Sequence, residues 1–141
     1  MAIKMRILYA SGKKKILAFA NEIKAKYELA FNSVDVIPPA YPCDKERIVI
    51  LAVSAKGDLS DAVERFCKEL TKARAQNVAL MIDGDQVAAD KLKAILTEAG
   101  TNVIDEVIYV NGGFPIFGST PKAEEKTAVF DWIDRVIANL K

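Results

Sequence analysis

Apolar positions along this chain alternate between two rhythms. Arg6-Ile7-Leu8-Tyr9-Ala10 is a strand-length apolar run that ends in a Ser11-Gly12 turn. From there the period changes, and Ile16, Ala20, Ile23 and Tyr27 recur at helical spacing on one face. Ser33 to Ile37 predicts a short second strand, closed by Pro38-Pro39. Ala40 to Glu46 is a compact connection, too short for a crossover helix. Arg47 to Val53 is a near-continuous β-branched run, as expected of a central strand covered on both faces. After the turn Ala55 to Ser60, Val63, Phe66, Cys67 and Leu70 form a helical stripe. Asn77 to Ile82 predicts the fourth strand, broken by Asp83-Gly84-Asp85-Gln86. The next helix buries Leu92, Ile95, Leu96 and Ala99 and stops at Gly100, a good C-terminal cap. Val103 to Val110 predicts the fifth strand, and Asn111 to Pro121 a glycine-rich loop. Val129, Trp132, Ile133, Val136, Ile137 and Leu140 mark the last helix, with Trp132 in its core stripe.

Strands interleaved with helices imply an α/β fold: a parallel sheet covered by helices on both faces. Ligands of such sheets sit beyond the carboxyl ends of the strands, where the strand order reverses. Three loops reach that edge. The first supplies Ser11, Gly12, Lys13, Lys14 and Lys15, the second Ser54, Ala55, Lys56 and Gly57, and the third Asp83, Gly84 and Asp85. A strand feeding a helix through a glycine turn points free N–H groups above the strand end. The N–H groups from Gly12 to Lys15, with the Ser11 hydroxyl, are therefore expected to hold a phosphate. The lysines stand ahead of the packing stripe, which is expected to begin at Ile16.

Composition narrows the classes. The 141 residues suit one domain, 1–141, with a sizeable core, and about half are hydrophobic. The longest apolar runs are strand-sized, so no membrane span is expected. The start of the chain lacks the apolar stretch of a signal peptide, which points to the cytoplasm. Cys43 and Cys67 lie far apart in no metal spacing, so reduced thiols are expected. A net charge of +1 leaves no basic footprint for nucleic acid. The chain has no histidine, which removes Ser-His-Asp and Cys-His catalysis and leaves zinc without a ligand set. Asp83 and Asp85 read as a turn and a helix N-cap rather than a metal pair, with Asp85 placed to cap. A dinucleotide-binding fingerprint would need more than the single Gly12, and a receiver domain would need an aspartate where Ser54 stands.

Strand-Ser11-Gly12-helix, the turn after the third strand, Gly84-Asp85 after the fourth and the overall length resemble a short-chain flavodoxin. The resemblance implies a flavodoxin-like three-layer sandwich with a five-stranded parallel sheet in order 2-1-3-4-5. It also implies FMN as cofactor, electron transfer as activity and a redox partner protein. In flavodoxins a Ser/Thr-rich first loop wraps the FMN phosphate. Here Ser11 and Gly12 match, and lysines occupy the positions of the last hydroxyls. The aromatic residues that stack on the flavin are missing from both later loops. Lost stacking removes about 0.5–1.5 kcal/mol per pair, so weaker FMN binding and a less negative reduction potential are expected. Phe114 and Phe117 are the nearest replacement aromatics, or else cover the core or a partner. Two other classes remain in view: a small FMN-dependent quinone or NAD(P)H oxidoreductase, and a flavin-free interaction or regulatory module.

Overall fold

A computed structural model describes residues 3–111 and 120–141. Its centre is the β-branched run near residue 50, buried on both faces from Ile48 to Val53. The chain runs β1 (Met5–Ala10), α1 (Lys14–Lys26), β2 (Val34–Val36), β3 (Ile48–Ala55), α2 (Asp61–Lys68), β4 (Asn77–Gly84) and α3 (Gln86–Ala99). It continues through β5 (Asn102–Val103), β6 (Ile108–Tyr109) and α4 (Ala123–Ala138). All strand pairings are parallel, in the order β2-β1-β3-β4-β5, with β6 also on β4. This is the flavodoxin-like three-layer sandwich expected from the sequence.

Alternate residues of the central strands feed two cores. Ile7, Ile50, Ala52 and Met81 face α1 and α4, where Phe19, Ile23, Trp132 and Ile133 meet them. Leu8, Leu51, Val53 and Leu80 face α2 and α3, where Val63, Cys67, Leu92 and Leu96 pack. Cys43 and Cys67 are free and buried, and burial pushes the Cys67 thiol up to about 12. Gly100 caps α3 in the left-handed conformation at φ 109°.

Four of the expected strands differ in extent. The third strand extends to Ala55 and the fourth to Gly84, so Ser54, Ala55, Asp83 and Gly84 lie in the ladder rather than in loops. The second strand contracts to Val34–Val36. The fifth is interrupted between Val103 and Ile108. There the Asp105 carbonyl accepts from Lys93 and the Glu106 carbonyl accepts from the Trp132 indole at 2.8 Å. Those carbonyls have turned out of the ladder, which an outer strand tolerates. No helix of the described residues is long and apolar enough to cross a membrane.

Trp132 is fully buried, so Trp132→Ala should cost about 3–5 kcal/mol through the cavity it leaves. Denaturant unfolding followed by circular dichroism would measure this. A loss under about 1 kcal/mol would place the ring outside the core.

Candidate functional site

Strand register builds the carboxyl edge of the sheet. Ala10 lies opposite Val53, and Ser54 lies opposite Asp83. One step past Ala10, Ser11 therefore stands beside Ser54, and the three polar residues form a row across β1, β3 and β4. Side chains alternate along a strand, so this row shares the face of Ala52 and Met81, the side covered by α1 and α4. The Ser11 and Ser54 oxygens are 2.7 Å apart, and Ser54 is 2.9 Å from Asp83 Oδ2. Lys13 Nζ meets the same carboxylate oxygen at 2.8 Å. An ionised carboxylate only accepts. Ser54 thus donates its single proton to Asp83, and Ser11 donates to Ser54. Ser11 Oγ in turn accepts the Lys13 backbone N–H at 3.0 Å. Asp83 is buried, and Lys13 and the serine relay supply the pairing that a buried charge requires.

A second set of bonds holds the other two loops together. Asp85 caps α3 by accepting from the Ala88 N–H, and it also accepts from the Gly57 N–H, both at 3.0 Å. Those two N–H groups, Ala88 first, hold the Asp85 carboxyl below the usual range. Gly57 takes a left-handed φ of 76°, and Gly84 lies so close to β3 that a Cβ there would sit 1.6 Å from the Ala55 carbonyl oxygen. Lys56 is exposed between these contacts.

The lysine run divides three ways. Lys13 pairs with Asp83, and Lys14 is exposed. Lys15 is buried and reaches Glu125 at 2.8 Å. The packing face of α1 therefore begins at Lys15 rather than Ile16, because a charged side chain can be buried where an acid meets it. Glu125 also accepts the Lys122 N–H at 3.0 Å, completing the first turn of α4. Burial alone would raise the Glu125 carboxyl, but Lys15 and that N–H outweigh it and hold it below the usual range. The amino ends of α1 and α4 thus converge at one edge. Sequence reasoning missed Glu125, whose signal was an acid three residues into a helix.

Of the donors expected to hold an anion, the Lys13 N–H is taken by Ser11. The rest of the amino end of α1 stays suited to one: no side chain caps it, and its first turn holds no acid. Gly12 is exposed, with open space where a Cβ would stand. Phe114 and Phe117, named as replacement aromatics, lie outside the described residues. Among the described residues, no group of three or more His, Cys, Asp and Glu could hold a metal ion. The architecture that carries this edge is a flavodoxin-like three-layer α/β fold. No family model, curated protein or solved structure matches the chain.

Two outcomes follow from these contacts. Gly84→Ala should destabilise the protein by about 3 kcal/mol or more, since the clash is with backbone, whereas Gly12→Ala should be nearly neutral. Chemical denaturation of both variants would test the contrast. Glu125 has a folded pKa below its unfolded value. Its contribution is therefore whole above the unfolded pKa and is lost as pH falls through the folded one. Lys15→Met should flatten that acid-side loss, read from thermal melts between about pH 7 and about pH 3.

Proposed function

We propose that this chain binds FMN at the carboxyl edge of its sheet and serves as a flavodoxin-like electron-transfer protein. The observation that carries this reading is the Ser11–Ser54–Asp83 row beside the uncapped amino end of α1. It lies where the strand order reverses, with β2 on one side of β1 and β3 on the other, the usual ligand position of such sheets.

The residues present suit the phosphate end of FMN. Open Gly12, the first-turn N–H groups of α1 and exposed Lys14 are donors or positive charge at one place. Lys13 stays on Asp83, so the buried carboxylate does not repel an incoming phosphate. The backbone of Ala55 to Gly57 and of Gly84 and Asp85, held together through Asp85, offers a rigid wall to the ring system. Bound FMN supplies the exchange of electrons. The chain's own part is to bind, to orient and to keep water from one side of the ring.

FMN titration tests the reading, with flavin fluorescence quenching as the signal. Gly12→Val should weaken FMN by about tenfold through lost close approach, with folding stability preserved because nothing lies within 4 Å of that Cβ. Riboflavin, which lacks the phosphate, should bind more weakly than FMN. Unchanged fluorescence and unmoved amide shifts from Gly12 to Lys15 would overturn the proposal in favour of a flavin-free interaction module. A bound flavin reduced by a pyridine nucleotide, with turnover on a quinone, would make the protein an oxidoreductase rather than a carrier.

A further inference from the structure

The opposite, amino-terminal edge of the sheet carries a cleft of about 460 Å3. The start of β1 forms its floor, the turn from Glu28 to Ser33 one wall, and the segment from Tyr41 to Glu46 the other. That second wall belongs to the β2–β3 connection, which contains no helix. Three polar side chains lining the cleft are more than nine-tenths buried: Arg6 is 7% exposed, Ser33 2% and Glu46 5%. Arg6 Nε and Nη2, Ser33 Oγ and Glu46 Oε2 have no hydrogen-bond partner among the described residues. Burying such groups unpaired is costly, and here three side chains whose residues line one cleft do so behind its surface.

Their chemistry is specific. Arg6 Nη1 donates to the Tyr41 carbonyl at 2.7 Å and lies 3.8 Å from Cys43 Sγ. That anchors the guanidinium and leaves its Nε–Nη2 edge, whose parallel N–H bonds match the two oxygens of a carboxylate. Glu46 meets Lys4 only through Oε1, at 3.8 Å, and Oε2 remains an acceptor for a cationic donor. Burial raises the Glu46 carboxyl, with Lys4 and then Arg6 acting against it. An isolated anion in the cleft would face Glu28, Asp44 and Glu46, and an isolated cation would face Lys4 and Arg6. A molecule carrying both charges satisfies both ends. Ile3, Met5 and Leu29 add an apolar wall.

We propose that this cleft binds a free amino acid with an apolar side chain, its carboxylate on Arg6 and its ammonium on Glu46. Ser33 supplies a hydroxyl to either end. The unpartnered atoms are sealed from solvent, so entry requires the Tyr41–Asp44 segment to lift. Arg6 holds that segment at the Tyr41 carbonyl and Lys4 holds it at the Asp44 carbonyl. This site lies at the other end of the strands from the FMN edge and does not depend on it.

The test is a titration of the full chain with L-leucine, acetate and isobutylamine in turn, following the amide shifts of Arg6, Ser33 and Glu46. Leucine should shift all three with a dissociation constant below about 1 mM. Acetate and isobutylamine, each carrying one charge, should bind about tenfold more weakly or worse. Arg6→Lys keeps the charge but loses the fork and should weaken leucine by about tenfold. Should that variant unfold, Ser33→Ala, a smaller change, should still weaken leucine by about threefold. If acetate alone matches leucine, the cleft is a simple anion site. If no probe moves these amides at about 10 mM, the buried groups pair with water or with each other. Either result overturns the proposal.

Discussion

A carboxylate sealed at the end of an apolar strand is the constraint on which the carboxyl edge depends. β4 runs apolar through Ile82 and then buries Asp83 before it leaves the sheet. A charge in that place must be answered by its neighbours. The answer spans three strands, through Ser54 on β3, Ser11 beyond β1 and the Lys13 ammonium. It also sets where α1 begins. Lys13 cannot reach Asp83 unless the Ser11-Gly12 turn is tight, and the Ser11 Oγ bond to the Lys13 N–H keeps it so.

The two edges of the sheet differ in how their polar groups are answered. At the carboxyl edge Ser11, Ser54, Lys13 and Asp85 are engaged with one another or with backbone N–H groups. At the amino edge, among the described residues, the guanidinium of Arg6 is held at one nitrogen only, and the Ser33 hydroxyl and one Glu46 oxygen face no partner. The difference follows from what covers each edge. The helices α1, α3 and α4 bring their amino ends to the first. The second is bounded by an extended connection, which can cover a strand end but supplies few groups to pair with it.

Much of the architecture was legible because burial and period coincide. Ile48 to Val53 is buried on both faces and reads as an unbroken apolar run, so its central place was visible. Gly100 and Asp85 announced the end and the start of α3 by their capping chemistry. Pattern failed where polar residues continue a strand, as Ser54 and Asp83 do, because only the pairing register keeps them in the ladder. It failed at Lys15, whose burial depends on Glu125, an acid 110 positions away. The fifth strand reads as continuous because apolar residues flank Asp105-Glu106 on both sides; the break falls at that acidic pair, whose carbonyls accept from Lys93 and the Trp132 indole. The amino-edge cleft was invisible for a related reason. Arg6, Ser33 and Glu46 share no motif and meet only through the parallel pairing of β1 with β2 and β3.

The strand order also has a consequence during synthesis. β1 is an interior strand, and the neighbour that gives it most of its ladder is β3, which runs from Ile48 to Ala55. On a ribosome, β1 therefore emerges well before the strand it needs. Until β3 follows it into solution, Ile7 can rest against α1 and the strand can pair with the short β2, while Leu8 faces the side that α2 and α3 have yet to cover. The nascent chain accordingly passes through a stage in which an interior apolar strand has one side unpaired, the condition in which strand edges recruit other chains or holdase chaperones.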